Sequence, residues 1–133
     1  MIRKATEEDI PRIVEMGAKF HAMSPWKNVP FDPAALSGFI AKLIAGGVVL
    51  ISDKGMLGGV LNPLYFNPSV VMAAELFWWG DAALKPAFEA WAQENGAQGV
   101  QFGALWDQRR ERMLQRYAAD GFEPVEIGFA KRF

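Results

Sequence analysis

The sequence predicts an α/β fold: a mixed, mostly antiparallel sheet with helices on both faces, in one domain spanning residues 1–133. Three observations predict it. Val70–Trp79, Leu84–Asn95 and Val100–Ala104 read as strand, helix and strand, and so short a crossover requires the two strands to run parallel. Asp53-Lys54-Gly55 is a tight-turn tripeptide between Val48–Ser52 and Met56–Leu61, so that pair returns antiparallel. Apolar residues recur at helical spacing over Ile10–Phe20 and Leu36–Ile44, which supplies helices to cover the sheet.

In chain order, Ile2–Ala5 is a short strand. Thr6 caps the next helix, with Asp9 three residues on as a short capping-box acid, and Pro11 fits only near a helix start. That helix runs to about Met23 and buries Ile10, Ile13, Val14, Gly17 and Phe20. Ser24–Phe31 is a loop with two prolines and Trp26. Asp32-Pro33 caps a second helix, with Leu36, Phe39, Ile40, Leu43 and Ile44 as its stripe, and Gly46-Gly47 ends it. Leu64–Phe66 is an extended piece or the tip of a long hairpin.

Val70–Trp79 is apolar on both faces, as in a central strand covered on two sides, and Trp78 and Trp79 point to opposite sides. After the Gly80–Asp81 turn, Leu84, Ala87, Phe88, Trp91 and Ala92 line one helix face, and Asn95-Gly96 supplies the stop. Leu105–Gln108 is a connection with Asp107 as cap. Arg109–Ala119 is the last helix, with Met113, Leu114, Tyr117 and Ala118 inward, and Gly121 lets Phe122 fold back on it. Glu123–Phe133 is extended and alternating, an edge strand available to a second copy of the chain.

Composition narrows the function. The net charge is -1, which argues against a dedicated nucleic-acid or membrane-surface protein. There is no cysteine and a single histidine, so thiolate chemistry is excluded, and a histidine metal cluster or a Ser-His-Asp triad lacks its parts. No apolar run reaches membrane-spanning length and no apolar signal segment opens the chain, which places it by expectation in the cytoplasm.

The charged residue inside the apolar Val70–Trp79 strand is Glu75. A carboxylate there is either a satisfied structural group or a chemical one with a raised pKa. His21 and Trp26 line a substrate pocket in one reading and a hydrophobic lid in the other. Arg109, Arg112 and Arg116 share a helix face that would meet phosphates or nucleic acid, or only water.

Three local patterns go further. Ile2-Arg3-Lys4-Ala5-Thr6-Glu7-Glu8-Asp9-Ile10-Pro11 opens the chain. Glu75-Leu76-Phe77-Trp78-Trp79 is followed by Ala90-Trp91-Ala92-Gln93-Glu94-Asn95-Gly96-Ala97. Tyr117-Ala118-Ala119-Asp120-Gly121-Phe122 fits Tyr-x-x-x-Gly-Phe. In this order, over essentially the whole chain, they resemble the GNAT superfamily of N-acetyltransferases, in its compact, often phage-encoded branch. The resemblance implies direct transfer of acetyl from acetyl-coenzyme A to an amine, on a small molecule or a protein, with no covalent enzyme intermediate. It implies Glu75 as the base and Tyr117 as the acid at the departing sulfur. It implies a pantetheine arm held between the splayed crossover strands against the backbone of Phe77, Trp78 and Trp79, with Gly80, Lys85 and Arg109 toward the phosphates.

One departure stands out. Where the family places a Gln/Arg-x-x-Gly-x-Gly/Ala phosphate loop, this chain has Gly80-Asp81-Ala82-Ala83-Leu84-Lys85-Pro86, with one glycine and no arginine. The expectation is weakened, altered or lost acetyl-coenzyme A binding. Two alternatives follow: a degenerate GNAT-fold binding or interaction module without activity, and a nucleic-acid-modifying transferase suggested by the arginine helix.

Overall fold

The computed structural model describes residues 1–133, which form two compact units, Met1–Gly103 and Ala104–Phe133. The first unit holds a five-stranded sheet in the order β1-β2-β3-β4-β5. Its elements are β1 (Arg3–Lys4), α1 (Ile10–Met23), α2 (Pro33–Gly46), β2 (Val48–Ile51), β3 (Met56–Leu64), β4 (Asn67–Trp79), α3 (Leu84–Glu94) and β5 (Gly99–Gln101). Strands β1 to β4 pair antiparallel, and β5 joins β4 parallel. The sheet is therefore mixed and mostly antiparallel, as the turn and crossover patterns require.

The helix starts follow local chemistry. Asp9 Oδ2 accepts the Thr6 N–H at 2.8 Å, and the Asp9 carboxylate also takes the Arg3 guanidinium at 2.7 and 2.8 Å. These bonds hold the Asp9 carboxyl well below the usual carboxylate range, the Arg3 bond contributing most. A short 3-10 turn, Glu7–Asp9, leads into α1. At α2, Asp32 Oδ1 accepts the Ala35 N–H at 3.0 Å, with Pro33 in the first turn.

The sheet is covered on both faces. Val49 and Ile51 of β2 meet Ile13 and Met16 of α1 and Ile40 and Leu43 of α2. Val48 and Leu50, on the opposite side, join Leu84, Phe88, Trp91 and Ala92 of α3. That division is the two-residue period of β2 read out as packing. Met16 is buried although the α1 stripe read from the sequence omits it, and Phe39 of the predicted α2 stripe stays 44% exposed.

Several expectations are corrected. β4 is not central: it is next to the edge, and β3 is the middle strand. It starts at Asn67, three residues before Val70, because the hairpin with β3 continues to a turn at Tyr65-Phe66. Those two aromatics stand 94% and 71% exposed at the tip. β5 is shorter than Val100–Ala104 because its ladder with β4 ends at Gln101.

The second unit is built around α4 (Arg110–Ala119). Asp107 precedes it and accepts the Arg109 N–H at 2.8 Å. Gly121 adopts φ +84, and the Phe122 N–H returns to the Tyr117 carbonyl at 2.9 Å with the two rings 5.3 Å apart. Of the predicted inner face, Tyr117 alone is fully buried, and Leu114 is 50% exposed. Glu123–Phe133 carries neither helix nor strand, so the predicted edge strand is not formed.

Candidate functional site

The crossover strands part company within a few residues. Parallel pairing starts at Met72↔Gly99 and stops at Ala74↔Gln101, while β4 continues to Trp79. From Glu75 to Trp79 no strand lies beside the outer edge of β4. Extended backbone there presents N–H and C=O groups at strand spacing, the geometry that recognises an extended amide-bearing chain.

A β-bulge sits at the same place. Gly59 pairs with Glu75 and Gly58 pairs with Phe77, so Leu76 is an extra residue on β4. The bulge explains a parity that plain alternation forbids. Ala73 and Trp78, five positions apart, both join the α3-side cluster, while Phe77 and Trp79 join the α1–α2 side. The expected opposite facing of Trp78 and Trp79 is therefore observed, but the faces are exchanged relative to the first half of the strand. Gly58-Gly59 was the available sequence signal. A Cβ on Gly58 would meet the Phe77 ring, and one on Gly59 the Phe88 ring and the Ala74 carbonyl.

Glu75 lies half-buried at the point of divergence. Burial pushes its carboxyl up to about 7, and the Gly103 N–H, donating to Oε1 at 3.4 Å, pulls weakly the other way. A carboxyl poised near neutrality accepts a proton readily at physiological pH, which suits a general base. Phe102 and Gly103, which sequence reasoning did not single out, follow the end of β5. The Phe102 ring stands edge-on to Trp78 at 5.7 Å and to Phe88 at 5.6 Å.

The corner after β4 is fixed by backbone contact. Gly80 adopts φ +93, and any Cβ there would strike the Lys54 carbonyl. The Trp78 indole N–H donates to the Asp81 carbonyl at 3.0 Å. Asp81 Oδ1 accepts the Ala83 N–H at 2.9 Å. That bond, with a further one from the Ser52 hydroxyl, lowers the Asp81 carboxyl below its ordinary value. Lys85 Nζ pairs with Glu89 Oε1 at 2.9 Å and lies 6.0 Å from the centre of the Phe102 ring.

The remaining predicted residues distribute as follows. His21, near the end of α1, has its ring 5.4 Å from Phe31, and its Nε2 is buried without a hydrogen-bond partner. Trp26 is 49% exposed. Its N–H donates to Ser24 Oγ, whose hydroxyl donates to the His21 carbonyl, which ties the two predicted residues through one turn. In the second unit, Tyr117 is buried against Phe122, and Arg109 Nη2 pairs with Asp107 Oδ2 at 2.8 Å. Arg110 stacks on Trp106 at 3.8 Å, so part of the basic helix is committed to local structure.

No protein-family model matches the chain, and no curated protein matches it by sequence. Solved structures do. A transcriptional regulator from Bacillus halodurans C-125 superposes with TM-score 0.72 at 20% identity, over 100% of this chain and 99% of that one. An acetyltransferase from Trypanosoma brucei gives TM-score 0.69 at 14% identity, over 100% and 99% of the two chains. A predicted acetyltransferase from Clostridium acetobutylicum, solved with acetyl-CoA, gives 0.71 at 13% identity, over 99% and 95%. No helix of the chain is long and apolar enough to cross a membrane. The fold of this chain, a mixed, mostly antiparallel sheet with helices on both faces, is GNAT-like.

Proposed function

We propose that this protein is an N-acyltransferase that moves an acetyl group from a thioester donor directly to an amine, on a small molecule or a protein. The observation that carries the reading is Glu75: a half-buried carboxyl with its pKa raised to about 7, at the position where β4 and β5 diverge. The similarity to acetyltransferase structures supports the fold-level half of the reading.

In this reading the ionised Glu75 removes the proton from the acceptor ammonium. The free amine attacks the thioester carbonyl, its nitrogen gives up the surplus proton to solvent, the C–S bond breaks, and the departing thiolate takes a proton. Tyr117 is the proposed donor of that proton, on the strength of the sequence resemblance. The open edge of β4 at Phe77, Trp78 and Trp79 would hold the thioester arm by main-chain hydrogen bonds. His21 and Trp26 are the proposed acceptor-side residues, and Arg109 a proposed contact for a charged part of either substrate. A single-domain, cytoplasmic enzyme is the corresponding cellular reading.

The deciding experiment is thiol release from an acetyl thioester over a panel of amines. Glu75→Gln should lower turnover by about 10²–10⁴-fold, the usual size of a general-base contribution. No thiol release with any donor at millimolar concentration rejects the enzyme reading. The second reading, a GNAT-fold binding module without catalysis, is favoured by Asp81 at the start of α3. An acyl transfer that Glu75→Gln removes would exclude it.

A further inference from the structure

We infer that the donor this site accepts is a pantetheine-type thioester without a diphosphate at the start of α3, and not acetyl-coenzyme A gripped through its phosphates. The inference rests on the acyl-transfer reading above and concerns which donor that site takes.

An anion at a helix start is held by main-chain N–H groups of the first turn. Here they are already used. The Ala83 N–H goes to the Asp81 carboxylate at 2.9 Å. The Leu84 and Lys85 N–H groups go to the carbonyls of Asp81 and Ala82 at 3.2 and 3.3 Å. Residue 86 is proline and has none. The Asp81 carboxylate thus sits in the place a phosphate would take.

The cations nearby do not compensate: Lys54 and the amino terminus already act on the Asp81 carboxylate. Lys85 is the one basic side chain of the Gly80–Pro86 segment, and it is paired with Glu89. Nor does the loop swing aside freely. Gly80 is pressed on the Lys54–Gly55 backbone, and the Asp81 carbonyl holds the Trp78 indole. Each unit of phosphate charge brought within about 4 Å of Asp81 costs about fivefold in affinity even at the dielectric of water.

The uncharged part of such a donor meets no such obstacle. Beyond Ala74↔Gln101 the outer edge of β4 has no strand beside it, and a pantetheine arm is an extended chain of amides. The result is a site suited to the arm and closed to the diphosphate.

The test is calorimetry on the full chain with S-acetylpantetheine, S-acetyl-4′-phosphopantetheine and acetyl-coenzyme A. The expected result is that acetyl-coenzyme A binds no more tightly than S-acetylpantetheine. The single-phosphate probe separates a free arm from one tethered through a phosphodiester: binding equal to S-acetylpantetheine admits both, and weaker binding restricts the site to the free arm. Asp81→Asn and Asp81→Ser keep an acceptor for the Ala83 amide but remove the charge. In whichever of the two melts like the parent, the affinity ratio should move toward acetyl-coenzyme A by about threefold or more. Tighter binding of acetyl-coenzyme A than of S-acetylpantetheine by the unaltered chain overturns this inference and leaves acyl transfer standing. Failure of all three probes to bind at millimolar concentration overturns both.

Discussion

The Gly103 amide reaches Glu75 Oε1 across 3.4 Å, immediately beyond the last rung that joins β4 to β5. It is a long bond, and burial dominates the carboxyl, raising it to about 7. The sign of the consequence is fixed. Between the ordinary carboxyl range and pH 7 the folded chain keeps a proton that the unfolded chain has released, so stability falls as pH rises through that window and is level above it. Glu75→Gln should therefore match the parent near pH 4.5 and exceed it at pH 8 by about 1–3 kcal/mol. Thermal melts from pH 4.5 to 8.5 would show the two curves diverging, and parallel curves would contradict the raised value.

The same carboxyl sets the pH dependence of turnover. If Glu75 is the base, thiol release should climb between pH 6 and 8 with an apparent midpoint near 7, the value to which burial raises this carboxyl. The residual activity of Glu75→Gln should lack that limb. A midpoint well below 6 in the parent would assign the base elsewhere.

Gly80→Ala tests the corner. The substitution forces a left-handed φ of +93 on a residue with a Cβ and drives that atom into the Lys54 carbonyl. The expected loss is at least about 2 kcal/mol, larger than for alanine at an ordinary loop glycine. Gly103→Ala, where a Cβ meets nothing within 4 Å, is the control for stability. Chemical denaturation of both variants separates the two outcomes.

Asp9→Ala should destabilise the start of α1 by about 0.5–2 kcal/mol, the cost of a lost helix cap. In the parent this contribution is complete above the ordinary carboxylate range and declines as pH falls below about 4, since the Arg3 and Thr6 bonds depress the folded-state value. Denaturant midpoints at pH 7 and pH 3 should differ for the parent more than for the variant.

Tyr65 and Phe66, at the β3–β4 tip, touch each other edge to face at 5.3 Å and otherwise face solvent. Replacing both with serine should change stability by no more than about 0.5 kcal/mol. A larger loss in a thermal melt would show that the hairpin tip is packed in solution.

Much of this was legible in the residues, and the reason is local physics. Thr6, Asp9 and Pro11, Asp32-Pro33, and Asp53-Lys54-Gly55 mark their boundaries through hydrogen bonds within a few positions of each other. The α3 face of Leu84, Phe88, Trp91 and Ala92 is buried as its spacing requires. Glu75 stood out because an acid in an apolar strand is costly anywhere.

Other features depend on partners distant in sequence. The bulge at Leu76 exists because Gly58 and Gly59 admit the Phe77 and Phe88 rings, and nothing within Glu75–Trp79 announces it. The short β5, the place of β4 beside the sheet edge and the long Gly103 bond arise from how two strands diverge. Glu123–Phe133 alternates like a strand yet forms none, because alternation specifies a face and only a neighbouring ladder makes a strand. By itself the sequence determined the elements, their order and the odd carboxyl, since those follow from periods and caps a few residues long. The tertiary structure alone decided where the strands part, since that depends on backbone groups that meet only after folding.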